Sequence, residues 1–119
     1  MVMKSTRGRG FTLLEIMVVI LIIGILLAIA VPQFINSRTR SQQRACISSL
    51  RGIESAKELY TYKNNLKQGD PIDGNLAWTD YSRQPYPICP SGGSYTVGLV
   101  GELPSCSLNA ATPPHMIGN

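Results

Sequence analysis

The stretch Gly10–Pro32, GFTLLEIMVVILIIGILLAIAVP, decides how the rest of the chain is read. No side chain from Ile16 to Val31 is polar, and no charge occurs between Glu15 and Arg38. At about 1.5 Å per helical residue, Phe11–Val31 spans roughly 31 Å, the thickness of one bilayer core. That is longer than the apolar core of an ordinary secretory signal. Length therefore favours an uncleaved anchor over a signal cut at Ala28-Ile29-Ala30, the A-x-A-like alternative.

The surrounding composition is uneven in the same way. The chain has 119 residues, 44% of them hydrophobic, and a formal charge of +4, which allows one ordinary domain and excludes global disorder. Lys4, Arg7 and Arg9 hold three of the eleven basic side chains within the first ten residues. The remainder carries eight Lys/Arg against seven Asp/Glu and is nearly neutral. The basicity thus belongs to a short N-terminal segment and does not indicate a nucleic-acid partner. That segment favours an N-terminus on the cytoplasmic side, although Arg38, Arg40 and Arg44 beyond the run balance the flank count.

Glu15 is the anomaly in this segment. A carboxylate inside an apolar helix costs about 2.5–3.5 kcal/mol at the bilayer centre and less near the interface. No Lys or Arg stands near it on the apolar side. A new α-amino group would supply the missing cation, and a cut before Phe11 would create one.

The string Gly10-Phe11-Thr12-Leu13-Leu14-Glu15, with its basic leader and long apolar run, resembles the prepilin peptidase site of type IV pilins and pseudopilins. Glu15 is the fifth residue from Phe11, and Pro32 falls where many members have a helix-kinking proline. The resemblance implies cleavage after Gly10 and N-methylation of Phe11 by a prepilin peptidase/methyltransferase. It implies anchoring in membrane lipid before assembly, with the N-terminus cytoplasmic and the C-terminal part periplasmic. Polymerisation with other pilin subunits, in a homopolymer or a mixed filament, then follows on an inner-membrane assembly platform. Glu15 is expected to pair with the Phe11 amine of a neighbouring subunit. The implied fold is α+β and pilin-like: a long N-terminal helix, its first half membrane-embedded, packed on a small antiparallel sheet. The organisation is then a leader over 1–10, a membrane and filament-core helix over 11–32, an amphipathic helical half over 33–65, and a loop and β-hairpin region over 66–119.

Beyond Pro32, which should bend the helix without ending it, the pattern becomes amphipathic. Cys46, Leu50, Ile53, Ala56 and Tyr60 form one apolar stripe, read as the face that packs on the C-terminal part. Arg40, Arg44 and Arg51 share another face, read as solvated or subunit-contacting, and nucleic acid is not an expected partner. Residues 66–87 read as a loop with one helical turn around Ala77–Tyr81, pinned to the long helix by Trp78 and Tyr81. Asp70, Asp73 and Asp80 are too thin a set for a calcium site. Residues 94–100 (SYTVGLV) favour short strands between Gly-containing turns. The string CPSGGSY from Cys89 also resembles an element of small prepilin-type proteins.

Three cysteines are an odd number in a compartment where disulfides persist. Cys89 and Cys106 flank the hairpin and are the expected pair, closing a loop worth about 3 kcal/mol. Cys46 is then a buried free thiol, with a bridge from Cys46 to either partner left open. There is no CxxC, and His115 stands in a Pro-rich tail read as exposed, so no metal site and no cofactor are expected. No catalytic motif is present, and an enzyme is not expected. The leading reading is a structural subunit of a type IV pilus-like or type II secretion pseudopilus filament. The alternatives are a secreted or membrane-anchored binding module, or a DNA-uptake pilin. Gly10→Arg is expected to leave the leader uncut. The check is intact mass, and a mature chain beginning at Phe11 in that variant would contradict the assignment.

Overall fold

The computed structural model describes residues 8–118. The leader residues Lys4 and Arg7 lie outside the described residues. The chain divides into two compact units, Met1–Asn36 and Ser37–Asn119. Four elements follow in order: helix α1 (Leu13–Lys63), helix α2 (Gly74–Tyr81), strand β1 (Tyr95–Thr96) and strand β2 (Ser105–Cys106). A long N-terminal helix and a small antiparallel sheet give the α+β, pilin-like class expected from the sequence.

Both ends of α1 are chemically specified. Thr12 accepts a hydrogen bond at Oγ1 from the Glu15 backbone N–H, 3.2 Å away, as an N-cap does. Thr12-x-x-Glu15 also has the residue pattern of a capping box. At the other end Asn65 takes φ +52°. The Leu66 N–H donates to Thr61 O at 3.0 Å and the Asn65 N–H to Tyr62 O at 3.3 Å. This pair of bonds is a Schellman cap, with Asn filling the left-handed position. Pro32 lies inside the helix without ending it.

In the first unit every large apolar side chain from Phe11 to Ile35 is exposed, between 46% and 81%. The helix is long and apolar enough to cross a membrane. In the second unit the core forms on the stripe read from the sequence. Cys46, Leu50, Ile53 and Ala56 of α1 are buried, with Ala77, Cys89 and Cys106 from the rest of the unit. Tyr60, expected on the same stripe, is half-buried.

Helix α2 begins earlier than the expected turn at Ala77. Asp73 caps it, its Oδ1 accepting from the N–H groups of Asn75 (2.9 Å) and Leu76 (3.2 Å). Trp78 does pin this segment to α1: a Cβ on Gly52 would stand 3.4 Å from the indole ring. Gly52 costs helix propensity but makes room for that ring. The indole N–H donates to Gln84 O and Pro85 O, both at 3.0 Å.

The sheet is shorter than the sequence suggested. It has two residues per strand, with Tyr95 opposite Cys106 and Thr96 opposite Ser105. Pairing stops because Gly98 and Gly101 take φ +71° and +92°, which turn the chain out of the strand. Val100 instead exchanges two backbone bonds with the Gly69-Asp70 loop, each 3.0 Å. With so small a core, Leu50, fully buried, carries a large share of the packing. Leu50→Ala is expected to destabilise this unit by about 2–5 kcal/mol. Denaturant unfolding of the detergent-solubilised chain checks this, and an unchanged midpoint would contradict it.

Candidate functional site

Gly10 and Phe11 precede α1 in open surroundings. A Cβ on Gly10 would meet nothing within 4 Å, and Phe11 is 81% exposed. Glu15 is exposed at the first turn of α1. It has no ion pair among the described residues, whose one salt bridge joins Lys63 to Asp80 at 2.9 Å. The carboxylate thus stands on an apolar, uncovered surface, favoured only by the helix N-terminus. Further along, Gly24 opens a shallow groove between Met17, Ile20, Leu21, Ile25 and Ala28.

In the second unit the acids considered for calcium have separate local partners. Asp73 caps α2, Asp70 accepts from the Lys67 N–H at 2.7 Å, and Asp80 pairs with Lys63. Arg40, Arg44 and Arg51 are exposed. A groove lined by Lys57, Thr61, Tyr62, Leu66, Val100 and Leu103, among others, contains no His, Cys or Ser.

Lys57 is a residue the sequence reading passed over. It is only 4% exposed. Its ammonium donates to Val97 O at 3.0 Å and to Glu102 O. Burial lowers its pKa, while the charges of Glu102 and Glu54 act in the opposite sense. A lysine in the row of Ile53 and Ala56 could have signalled that loop carbonyls come down onto the stripe.

The cysteines form the other concentration of chemistry. All three are free and buried in the structure. Cys46 on the helix stripe packs among the other two, and the three thiols converge instead of leaving Cys46 apart. His115 departs from the expectation. Its tail folds back, with the His115 N–H donating to Leu108 O at 3.2 Å and Gln43 Nε2 donating to Pro114 O at 2.8 Å. The side chain is left 3% exposed, where an exposed one was expected. The Cys46, Cys89 and Cys106 sulfurs and a His115 ring nitrogen all lie within 4.8 Å of one another. His115 Nδ1 is 3.5 Å from Cys89 Sγ.

The thiols differ in character. Burial pushes Cys46 up to about 12. Burial acts the same way on Cys89, but the backbone N–H groups of Ser91 and Gly93 and the His115 ring outweigh it and hold Cys89 at about 6. Tyr95 is raised, chiefly by burial. Its hydroxyl is buried without a well-formed hydrogen bond and faces the Cys46 thiol.

Comparison with known proteins bears on the first unit most directly. The family described as "Prokaryotic N-terminal methylation motif" matches residues 5–31. Type II secretion system core protein G of Escherichia coli is 32% identical, over 98% of this chain and 90% of that protein. Type II secretion system core protein G of Aeromonas hydrophila is 40% identical over 53% of the chain. Type IV major pilin protein PilA of Myxococcus xanthus is 33% identical over 84% of it. The chain spans less than half the length of these last two relatives, 44% and 46%. No solved structure matches the chain.

Lys57→Met would leave the Val97 and Glu102 carbonyls without their donor. It is expected to cost about 1–3 kcal/mol and to speed amide exchange in residues 97–102. Hydrogen exchange on the full chain checks this, and unchanged protection there would contradict the role of Lys57.

Proposed function

The chain belongs to the type IV pilin and type II secretion pseudopilin family, and from that premise we propose how its residues carry it from membrane precursor to filament subunit. It is a structural subunit, and its work is polymerisation. The observation that carries the mechanism is the exposed apolar surface of α1 from Leu13 to Ile35, interrupted by one carboxylate, Glu15, that has no ion pair among the described residues.

Cleavage between Gly10 and Phe11 removes the basic leader and creates an α-amino group, which prepilin peptidase then methylates. This end lies on the cytoplasmic side in this reading, as the resemblance to the family's processing site implies. Lipid covers the apolar surface at this stage. Lipid tails are as apolar as the side chains, so the hydrophobic effect alone does not favour helix–helix contact over lipid. Packing and polar pairing must supply that preference. Gly24 offers a place where a neighbouring helix can approach closely. Glu15 supplies the polar term: paired with the Phe11 ammonium of an adjacent subunit, it loses a charge penalty that lipid cannot relieve. Thr12 has a separate and local task, since it caps the helix through the Glu15 N–H and leaves the carboxylate free.

The near end-to-end relative is a type II secretion core protein. We therefore place the secretion pseudopilus first among the filaments this subunit could build, with the inner-membrane assembly platform as its partner. A pilus reading is supported by the Myxococcus relative, which covers most of the chain but is itself much longer.

Glu15→Ala should leave cleavage at Gly10 intact and reduce the yield of sheared filaments at least about tenfold, the effect of roughly one lost charge pairing. Immunoblots of the processed form and of the filament fraction separate the two steps. Normal filament yield from the processed variant would contradict the pairing.

A further inference from the structure

The cluster of Cys46, Cys89, Cys106 and His115 is not used by cleavage, anchoring or polymerisation. Its ligand atoms come from four separate places: the middle of α1, the turn before β1, the strand β2 and the C-terminal tail. We propose that these four residues form a structural zinc site, with three thiolates and the His115 imidazole closing a tetrahedron around one Zn2+.

Distance supports this first. Around zinc, with Zn–S near 2.3 Å and Zn–N near 2.0–2.1 Å, ligand atoms stand about 3.5–3.8 Å apart. Here the four atoms lie within 4.8 Å of one another, and Cys89 Sγ to His115 Nδ1 is already 3.5 Å. Closing the site asks the widest separation to shrink by about 1 Å, within the reach of side-chain rotation. Nδ1 is the ring nitrogen placed to bind.

Stoichiometry supports it second. A disulfide uses two of the three sulfurs and leaves a thiol and an imidazole buried together with no role. A metal uses all four groups. Cys3His is a common structural zinc set, and with four protein ligands no position stays open for substrate. The site is therefore a staple and not a catalytic centre.

The surroundings suit a negatively charged thiolate site. Three thiolates and Zn2+ carry one net negative charge, and binding releases the thiol protons to solvent. The turn that carries Cys89 is closed by the Gly92 N–H, which donates to Cys89 O at 3.0 Å. The buried Tyr95 hydroxyl faces Cys46. Such an O–H group orients a ligand and offsets its charge. Gly93 is required by the same packing, since a Cβ there would stand 2.8 Å from Cys106 Sγ.

The site also answers a stability need. The second unit buries seven hydrophobic residues, three of them the cysteines themselves. Domains with so little core depend on a staple. Zinc would join the tail, β2 and the segment before β1 to α1 at one point.

The test uses the full chain, purified from membranes in detergent without chelator or added reductant. The expected result is one zinc per chain by elemental analysis. In His115→Ala, zinc content should fall at least about tenfold. That substitution lies in the tail, so helix and hairpin can still form. As a second measurement, Co2+ added to the reduced, metal-free full chain should bind one per chain, with thiolate charge-transfer and tetrahedral d–d bands that zinc abolishes. Zinc in the purified chain or these cobalt bands would support the site. Absence of both in a folded chain, or an intact mass showing a Cys89–Cys106 disulfide, would overturn it.

Discussion

The apolar surface of α1 is the constraint on which everything else depends. Among the described residues no side chain covers it from Leu13 to Ile35, and a surface of that extent is not left to water. It must be covered by lipid or by other helices. Each Leu, Ile or Val that becomes fully buried contributes about 1.5–3 kcal/mol relative to water. Set against that sum, the few kcal/mol for one carboxylate cannot keep the helix out of a membrane. The same carboxylate decides what happens inside it. Lipid cannot pair the Glu15 charge, so on the proposed function Glu15, with close packing at Gly24, distinguishes a neighbouring subunit from a lipid tail.

The second unit faces the opposite difficulty. It has little apolar surface to bury and must hold an irregular chain from Asn64 to Gly118 on one side of a helix. It does so by bringing unusual groups inward. Lys57 ties the loop after β1 through two carbonyls. Trp78 lies over Gly52. The three thiols and His115 gather where a larger domain would place leucines. Each of these uses a polar or polarisable group in place of bulk, and each demands a partner. Lys57 and Trp78 have theirs within the protein, whereas the sulfur–imidazole cluster is completed by a metal ion.

Legibility in the sequence followed the range of the interactions. The membrane-length helix was legible because sixteen consecutive residues agree. The core stripe was legible because Cys46, Leu50, Ile53 and Ala56 repeat with the helical period. The start of α2 was missed although Asp73 is a cap residue of the usual kind, because Pro71 and Gly74 around it read as loop. Strand length was overestimated because β-branched residues in SYTVGLV outweighed the two glycines that end the pairing. The burial of His115 had no local signal: its tail is rich in proline and polar residues. Only the path of that tail over Gln43 and Leu108 brings the ring to Cys89. The gathering of three thiols about the imidazole has the same origin, since spacing along the chain favours Cys89 with Cys106 and gives no place to the histidine.

In the proposed function one helix serves first as anchor and then as filament core, after a cut that creates the cation Glu15 needs. The intact mass of the chain, purified from a host that contains prepilin peptidase, tests this most directly. The expected mass shows loss of Met1–Gly10 and the gain of one methyl group on a chain beginning at Phe11. A mass corresponding to the uncut chain, or to a chain beginning at Val31, would contradict it.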